Sequence, residues 1–462
     1  MNQITRTPNA QNLEPVSIWP GNIPPPPAPY SPAVRTGDWV FVSGFLASDF
    51  KTGMAPEAIP ANSALVTDME LQTRYLMANA ARTISSAGCD MSKDIVRLWQ
   101  WFPSPSVKET TFAQGDAWPE INITPYLRVR SELLQQPLPA TSSIANRFFP
   151  VKDTRVALEM ICFANEHKPI AIHDPDDHDA ELAGNSSGVR RGDWVFLSGR
   201  LPVDGPGDFG SSSFRGASSA LAEKARVNPY YWHGSSIEQQ TNFVLEKLAR
   251  LAESAGSSLS RAVKAEVYLA HPNYFEGMDR VWKRWFPESP PARFVLPSIG
   301  LGARGALVEV ALTLLADDSA IETETIETSE APEPFSHEPQ AVRAGHLLFF
   351  SQQMAFDSRG CLAEGMKRHP SFPWYGQPGR DQTRYMIRNI SAICEAAGSS
   401  LENVVRCGRF FDDGQWFAES FAEWDSHFPK RKACSIAMQL LGPMLVPEAN
   451  VMFDVTAYVP PK

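Results

Sequence analysis

The chain has 462 residues, 43% hydrophobic and 20% charged, which is more than one ordinary core needs and typical of folded, water-soluble domains. Its net charge of −10 argues against nucleic acid as the main partner, since phosphate backbones reward basic faces. No run approaches the roughly 20 apolar residues of a membrane helix, and no basic stretch followed by an apolar one marks a signal peptide at the N-terminus. Six cysteines without C-x-x-C spacing fit reduced thiols in a cytoplasmic protein, and no cofactor or metal motif is read.

Residues 1–29 are Pro-rich and read as an extended segment. A first repeat, 30–165, opens with Val34-Arg35-Thr36-Gly37 and a β-branched and aromatic strand ending at Ser43-Gly44. Gln72-Thr73 then begins a helical pattern that closes at Gly88, fifteen residues after the Thr. A connector rich in Asp, His, Pro and Ser follows. Its His173, Asp174, Asp176, Asp177 and His178 lack the spacing of a metal site and read as solvated.

The second repeat, 183–317, carries the same signatures: Val189-Arg190-Arg191-Gly192 running to Ser198-Gly199, then Gln240-Thr241 and Gly256. An acidic stretch, 318–335, without Lys or Arg reads as a solvated linker. The third repeat, 336–462, has Val342-Arg343-Ala344-Gly345 running to Ser351-Gln352, then Gln382-Thr383 and Gly398. In every copy the Ser lies six residues after the first Gly and the helix-closing Gly fifteen after its Thr. Two signatures, three times in one order, mean three tandem copies of one domain. Within each copy a hairpin, a helix, a strand, a second helix and two closing strands predict an α+β domain with a mixed sheet.

Three segments of the second repeat sharpen this: Ser198-Gly199-Arg200-Leu201-Pro202, Pro291-Ala292-Arg293, and Leu307-Val308-Glu309-Val310. Together with the repeated signatures they resemble the RidA (YjgF) family of enamine/imine deaminases. The resemblance spans three domains and implies a chorismate-mutase-like fold. Members are homotrimers with a central barrel and clefts between subunits, so three copies in one chain imply a covalent pseudo-trimer, which lowers the association entropy. The resemblance implies that Arg293 binds a substrate carboxylate and that Glu309 holds the attacking water. In the first repeat Thr141 and Ala157 stand at these places, and in the third Ala433 and Met452. The family's Tyr, fourteen residues before the Gly, survives as Tyr30 before Gly44, whereas Asn185 and Glu338 replace it elsewhere.

The expected site therefore has Arg293 and Glu309 as catalytic residues in one cleft. Tyr30, Gly44, Ser198 and Gly199 would bind substrate, with Tyr231 and Trp232 walling the cleft against a bulkier ligand. A guanidinium suits a carboxylate because two parallel hydrogen bonds form, and a Glu within an apolar strand suits proton transfer. The expected activity is hydrolysis of a C–N bond, most simply an imine or enamine of a small molecule bearing a carboxylate or other anionic group. A cyclic-amide hydrolase on the same plan and a non-catalytic ligand-binding protein are the competing expectations.

Overall fold

The computed structural model describes residues 13–104, 121–174, 186–204, 221–228, 230, 233–372 and 374–461. The first repeat places β1 (Val16–Ile18), β2 (Ala33–Thr36), β3 (Trp39–Phe45), α1 (Asp68–Ser86), β4 (Ile95–Pro103), α2 (Thr124–Leu133), β5 (Ala140–Asn146) and β6 (Ala157–Phe163) in order. The second follows with β7 (Ile170–Ile172), β8 (Gly188–Arg191), β9 (Trp194–Arg200), α3 (Ser236–Ser254), β10 (Ala262–Leu269), α4 (Phe275–Trp285), β11 (Ala292–Pro297) and β12 (Val308–Leu315). The third has β13 (Thr323–Ile326), β14 (Ala341–Ala344), β15 (Leu347–Phe350), β16 (Gln353–Met354), α5 (Pro378–Ala396), β17 (Val404–Phe411), α6 (Phe417–His427), β18 (Cys434–Gln439) and β19 (Val451–Tyr458).

Each repeat forms one mixed sheet, in the orders β1-β2-β3-β6-β4-β5, β7-β8-β9-β12-β10-β11 and β13-β14-β15-β19-β17-β18. The last strand in each order is the parallel one. The segments read as tail, connector and acidic linker each contribute a first, edge strand, because three or four residues of each pair with the following hairpin. Thr323 and Glu324 remain exposed within that ladder, so the acidic composition reflects a wet edge rather than a free linker.

The repeated signatures have structural reasons. Gly37, Gly192 and Gly345 take positive φ (56°, 61° and 59°) in the hairpin turn, a conformation that glycine adopts without strain. The Arg two residues before each donates to that Gly carbonyl, and Arg35 and Arg190 also donate to the carbonyls of Ala87 and Ala255, which cap the C-terminal ends of α1 and α3. The Gln of each Gln-Thr pair is buried and grips the approach to the closing strand. Gln72 accepts from Arg155 N–H, Gln240 from Leu307 N–H and Gln382 from Asn450 N–H. Thr67 and Ser235 cap α1 and α3 by accepting from Glu70 and Glu238 N–H.

One face of each sheet packs on its own helices and the other on a core shared by all three repeats. Trp39, Trp194 and Phe349 meet there with ring centroids 4.7–6.1 Å apart, burying apolar surface worth about 1.5–3 kcal/mol per large side chain. Beside them, Arg97, Lys264 and Arg406 occupy one register position, opposite Ala140, Ala292 and Cys434 on the parallel strand. Each pairs with an acid of another repeat: Arg97 with Glu266 (2.6 Å), Lys264 with Asp454 (2.7 Å) and Arg406 with Glu159 (2.7 Å). The circuit runs from repeat 1 to 2, 2 to 3 and 3 to 1.

The sheets do not close into a hydrogen-bonded barrel: among the described residues no strand of one is laddered to a strand of another. Three seams join them instead, β5 beside β9, β11 beside β15 and β18 beside β3. At each seam the signature Ser accepts from the neighbour's backbone, Ser198 from Thr141 N–H, Ser351 from Arg293 N–H and Ser43 from Ser435 N–H, at 2.9–3.0 Å. The same hydroxyls donate to Ser186, Pro339 and Ser31 carbonyls.

Glu266 accepts from Arg97, Trp99 Nε1 and Tyr268 hydroxyl together. Glu266→Gln leaves the Arg97 cation buried without its counter-charge, and breaking such a pair costs about 3–5 kcal/mol. Urea unfolding should show that loss; a change below about 1 kcal/mol would mean that the circuit does not hold the repeats.

Candidate functional site

The serine contacts identify Thr141, Arg293 and Ser435 as equivalent positions, one at each seam. The third-repeat alignment is thereby corrected by two residues: Ser435, not Ala433, stands where Arg293 does. The Glu register holds as read, since Ala157, Glu309 and Met452 lie opposite Trp101, Tyr268 and Phe410.

Arg293 and Glu309 face different seams. Arg293 is on β11, the edge strand that faces β15 of repeat 3, whereas Glu309 is on β12, an interior strand beside β9, which faces β5 of repeat 1. The two residues of one sheet thus serve two neighbours, so the single cleft holding both is not formed.

At the seam of repeats 2 and 3 the arginine is consumed by the protein. Its Nε donates to Glu338 (2.7 Å) and its Nη2 to Asp279 (2.7 Å), and the guanidinium lies over Trp282 at 5.0 Å. It is 0% exposed. Glu338, at the Tyr30 position, supplies the carboxylate that a ligand was expected to bring. Burial pushes the Glu338 carboxyl up while Arg293 pulls it down. Gln352, in place of the strand-end Gly, completes the closure by donating from its N–H to the Arg293 carbonyl and accepting from Val295 N–H.

The seam of repeats 1 and 2 carries Glu309. A Cβ built on Gly199 would lie 1.9 Å from Glu309 Oε1 and 2.8 Å from Ser142 Oγ, so the glycine makes room for a carboxyl and a hydroxyl that converge above it. Ser142 also accepts from Arg97 Nη2 at 2.7 Å. Burial raises the Glu309 carboxyl to about 7, against the pull of Arg97 and Arg200 and with the push of Glu266. Arg200, the residue after Gly199, and Ser142 were not singled out from the sequence. The signal was available for Arg200, which interrupts the apolar run at a strand end, but Ser142 becomes visible only when two repeats are joined. Ser198 holds the seam with both hydrogen bonds of its hydroxyl, so it is assigned to that role rather than to substrate.

The seam of repeats 1 and 3 opens into a cavity of about 510 Å³ with Tyr30 and Gly44 in its wall. Gly44 is also a packing glycine, since a Cβ there would meet Ile436 at 2.4 Å. Tyr231 and Trp232 lie outside the described residues. Their third-repeat counterparts, Phe372, Trp374 and Tyr375, stand exposed and line neither described cavity.

Because Arg293 is bound by two internal acids, Arg293→Met leaves Glu338 buried and unpaired, while Asp279 keeps Lys283 at 3.1 Å. The single variant should lose about 3–5 kcal/mol, and Arg293→Met with Glu338→Met should recover most of it. Chemical unfolding of both reads the result; equal stability of the two variants would exclude Glu338 as the partner that matters.

The family model described as Endoribonuclease L-PSP matches residues 21–163, 179–315 and 328–459. A RutC family protein of Pyrococcus horikoshii is 31% identical over 118 residues, covering 25% of this chain and 84% of that protein. The crystal structure of RidA from the Antarctic bacterium Psychrobacter sp. PAMC 21119 is 28% identical, with a TM-score of 0.25, covering 29% of this chain and 99% of that one. A chorismatase crystal structure covers 79% of this chain and 94% of its own at 9% identity and a TM-score of 0.48. With most of its length matched in three blocks, the chain belongs to the Endoribonuclease L-PSP family, the RidA/YjgF group, as three tandem copies of the family domain.

Proposed function

We propose that the protein hydrolyses a C–N bond of a small molecule, most simply an imine or enamine, at the seam of repeats 1 and 2. The observation that carries this reading is Glu309: a buried carboxyl, seated over Gly199 beside Ser142, that titrates near neutrality. A group with a pKa close to the working pH both accepts and returns a proton efficiently. Glu309 takes a proton from water as its oxygen adds to the imine carbon. It gives that proton to nitrogen, forming the carbinolamine. It then takes the new hydroxyl's proton and passes it to the amine, so that the C–N bond breaks, ammonia leaves and the carbonyl forms. Arg200, whose positive charge acts on Glu309, is the cation assigned to a substrate's acidic group in place of Arg293. Such substrates are reactive already, so positioning and exclusion of bulk water supply much of the acceleration.

Thr141 in the arginine position of this same seam favours a second reading, ligand binding without turnover. Mass spectrometry of the bound compound separates the two, because only hydrolysis releases ammonia and a carbonyl product.

Glu309→Gln should lower kcat roughly 10²–10⁴-fold with little change in fold, and kcat/KM of the wild type should rise with pH to a plateau above about 7. The stability sign is opposite. The folded protein prefers the protonated carboxyl, so stability present below about 4.5 is lost as pH climbs through about 7. The loss is about 3 kcal/mol at most and should vanish in Glu309→Gln. Melting temperatures across pH 5–8 that fall equally in both proteins would remove Glu309 from the account.

A further inference from the structure

The seam of repeats 1 and 3 has lost both family charges, yet it keeps an arginine from another strand. Arg409 on β17 is paired with Ala437 on β18, and Ala437 lines the 510 Å³ cavity. Its guanidinium lies 4.1 Å from the Phe421 ring centroid and 4.7 Å from that of Trp424. The side chain is 1% exposed, and its Nε and Nη1 have no hydrogen-bond partner. Besides the aromatic rings it feels Cys407 beside it and the charge of Asp425; burial pulls its pKa down.

The closed seam shows what such a guanidinium takes. Trp282 and Trp424 are the same helix position, each followed by a Phe with its ring centroid at 4.4 Å. Arg293 lies over Trp282 and Arg409 over Trp424. Around Arg293 stand two carboxylates, Glu338 and Asp279. At the seam of repeats 1 and 3 their positional counterparts are Tyr30, fourteen residues before the strand-end Gly and in the cavity wall, and Phe421, four residues into the second helix as Asp279 is and in contact with Arg409. Where one seam has acids the other has aromatic rings and a cavity. Among the described residues, none that lines that cavity is charged.

From this exchange we infer that the cavity is a second ligand site, for a ring-bearing carboxylic acid whose ring packs among Tyr30, Phe148 and Phe417 and whose carboxylate pairs with Arg409. Phe421, itself only partly buried, is the layer between cavity and cation and must turn aside for the pair to form. The site shares no side chain with Glu309 and does not depend on the hydrolytic reading.

Titration calorimetry of the full chain with 3-phenylpropionate and its primary amide tests the assignment. The wild type should prefer the acid by about tenfold or more, as a charge-assisted pair replaces two unmade hydrogen bonds. Arg409→Met should lose that preference and melt no lower than wild type, because an unpaired buried cation is removed. Phe421→Ala should bind the acid more tightly, Ala437→Phe should abolish binding by filling the cavity, and Glu309→Gln should bind as wild type does. Equal binding of acid and amide by the wild type, or no binding of either, overturns the inference. So does an acid preference that survives in Arg409→Met or disappears in Glu309→Gln. If Arg409→Met does not fold, retained binding in Ala437→Phe overturns it equally.

Discussion

Three buried cations, each answered by an acid from the next repeat, set the arrangement on which the clefts depend. Arg97, Lys264 and Arg406 occupy one register position in three sheets, and removing the counter-charge of any of them costs several kcal/mol at this depth. The acids come from two different places. Glu159 and Asp454 share a position on the long closing strands, but Ala311 stands there in repeat 2 and Glu266 supplies the charge from the neighbouring strand. The geometry of the pair is preserved while its source moves. Because each ion pair crosses a seam, the mutual position of the repeats is fixed to within hydrogen-bond tolerance, and the aromatic centre can pack around it.

The seams are equivalent in backbone and unlike in chemistry. One serine hydroxyl at each holds a neighbour's N–H, and this contact is indifferent to the side chain on that residue. Thr141, Arg293 and Ser435 can therefore differ without disturbing the joint. One seam has become a closed salt-bridged lock, a second retains a titrating carboxyl over a glycine, and the third has opened into an apolar cavity with a cation behind it. In a homotrimer all three must serve one ligand; covalent joining removes that requirement.

The repeats, the order of elements and the register of Glu309 were legible because strand and helix periods, turn glycines and caps are local properties. Gln72, Gln240 and Gln382 announce themselves by spacing even though their hydrogen bonds reach far along the chain. The composition of the site was not legible in the same way. Reading Arg293 and Glu309 within one repeat places them together, whereas β11 and β9 of that sheet face different neighbours. Lys432-Ala433-Cys434-Ser435 has no Pro-Ala-Arg to anchor it, so only the contact with Ser43 places Ser435, and not Ala433, at the Arg293 position. The equivalence of Arg409 to Arg293 lies in space, across two adjacent strands, and in no shared motif.

The circuit of charges also has a direction, and the chain is synthesised in one. When two repeats have left the ribosome, Arg97 can already meet Glu266, but Lys264 and Glu159 still await Asp454 and Arg406. The closing strand of the third repeat, Val451–Tyr458, delivers Asp454 to both Lys264 and Arg406. Completion of the centre thus waits on this strand of the third repeat, and a chain without it keeps charged groups facing an unfinished apolar interior.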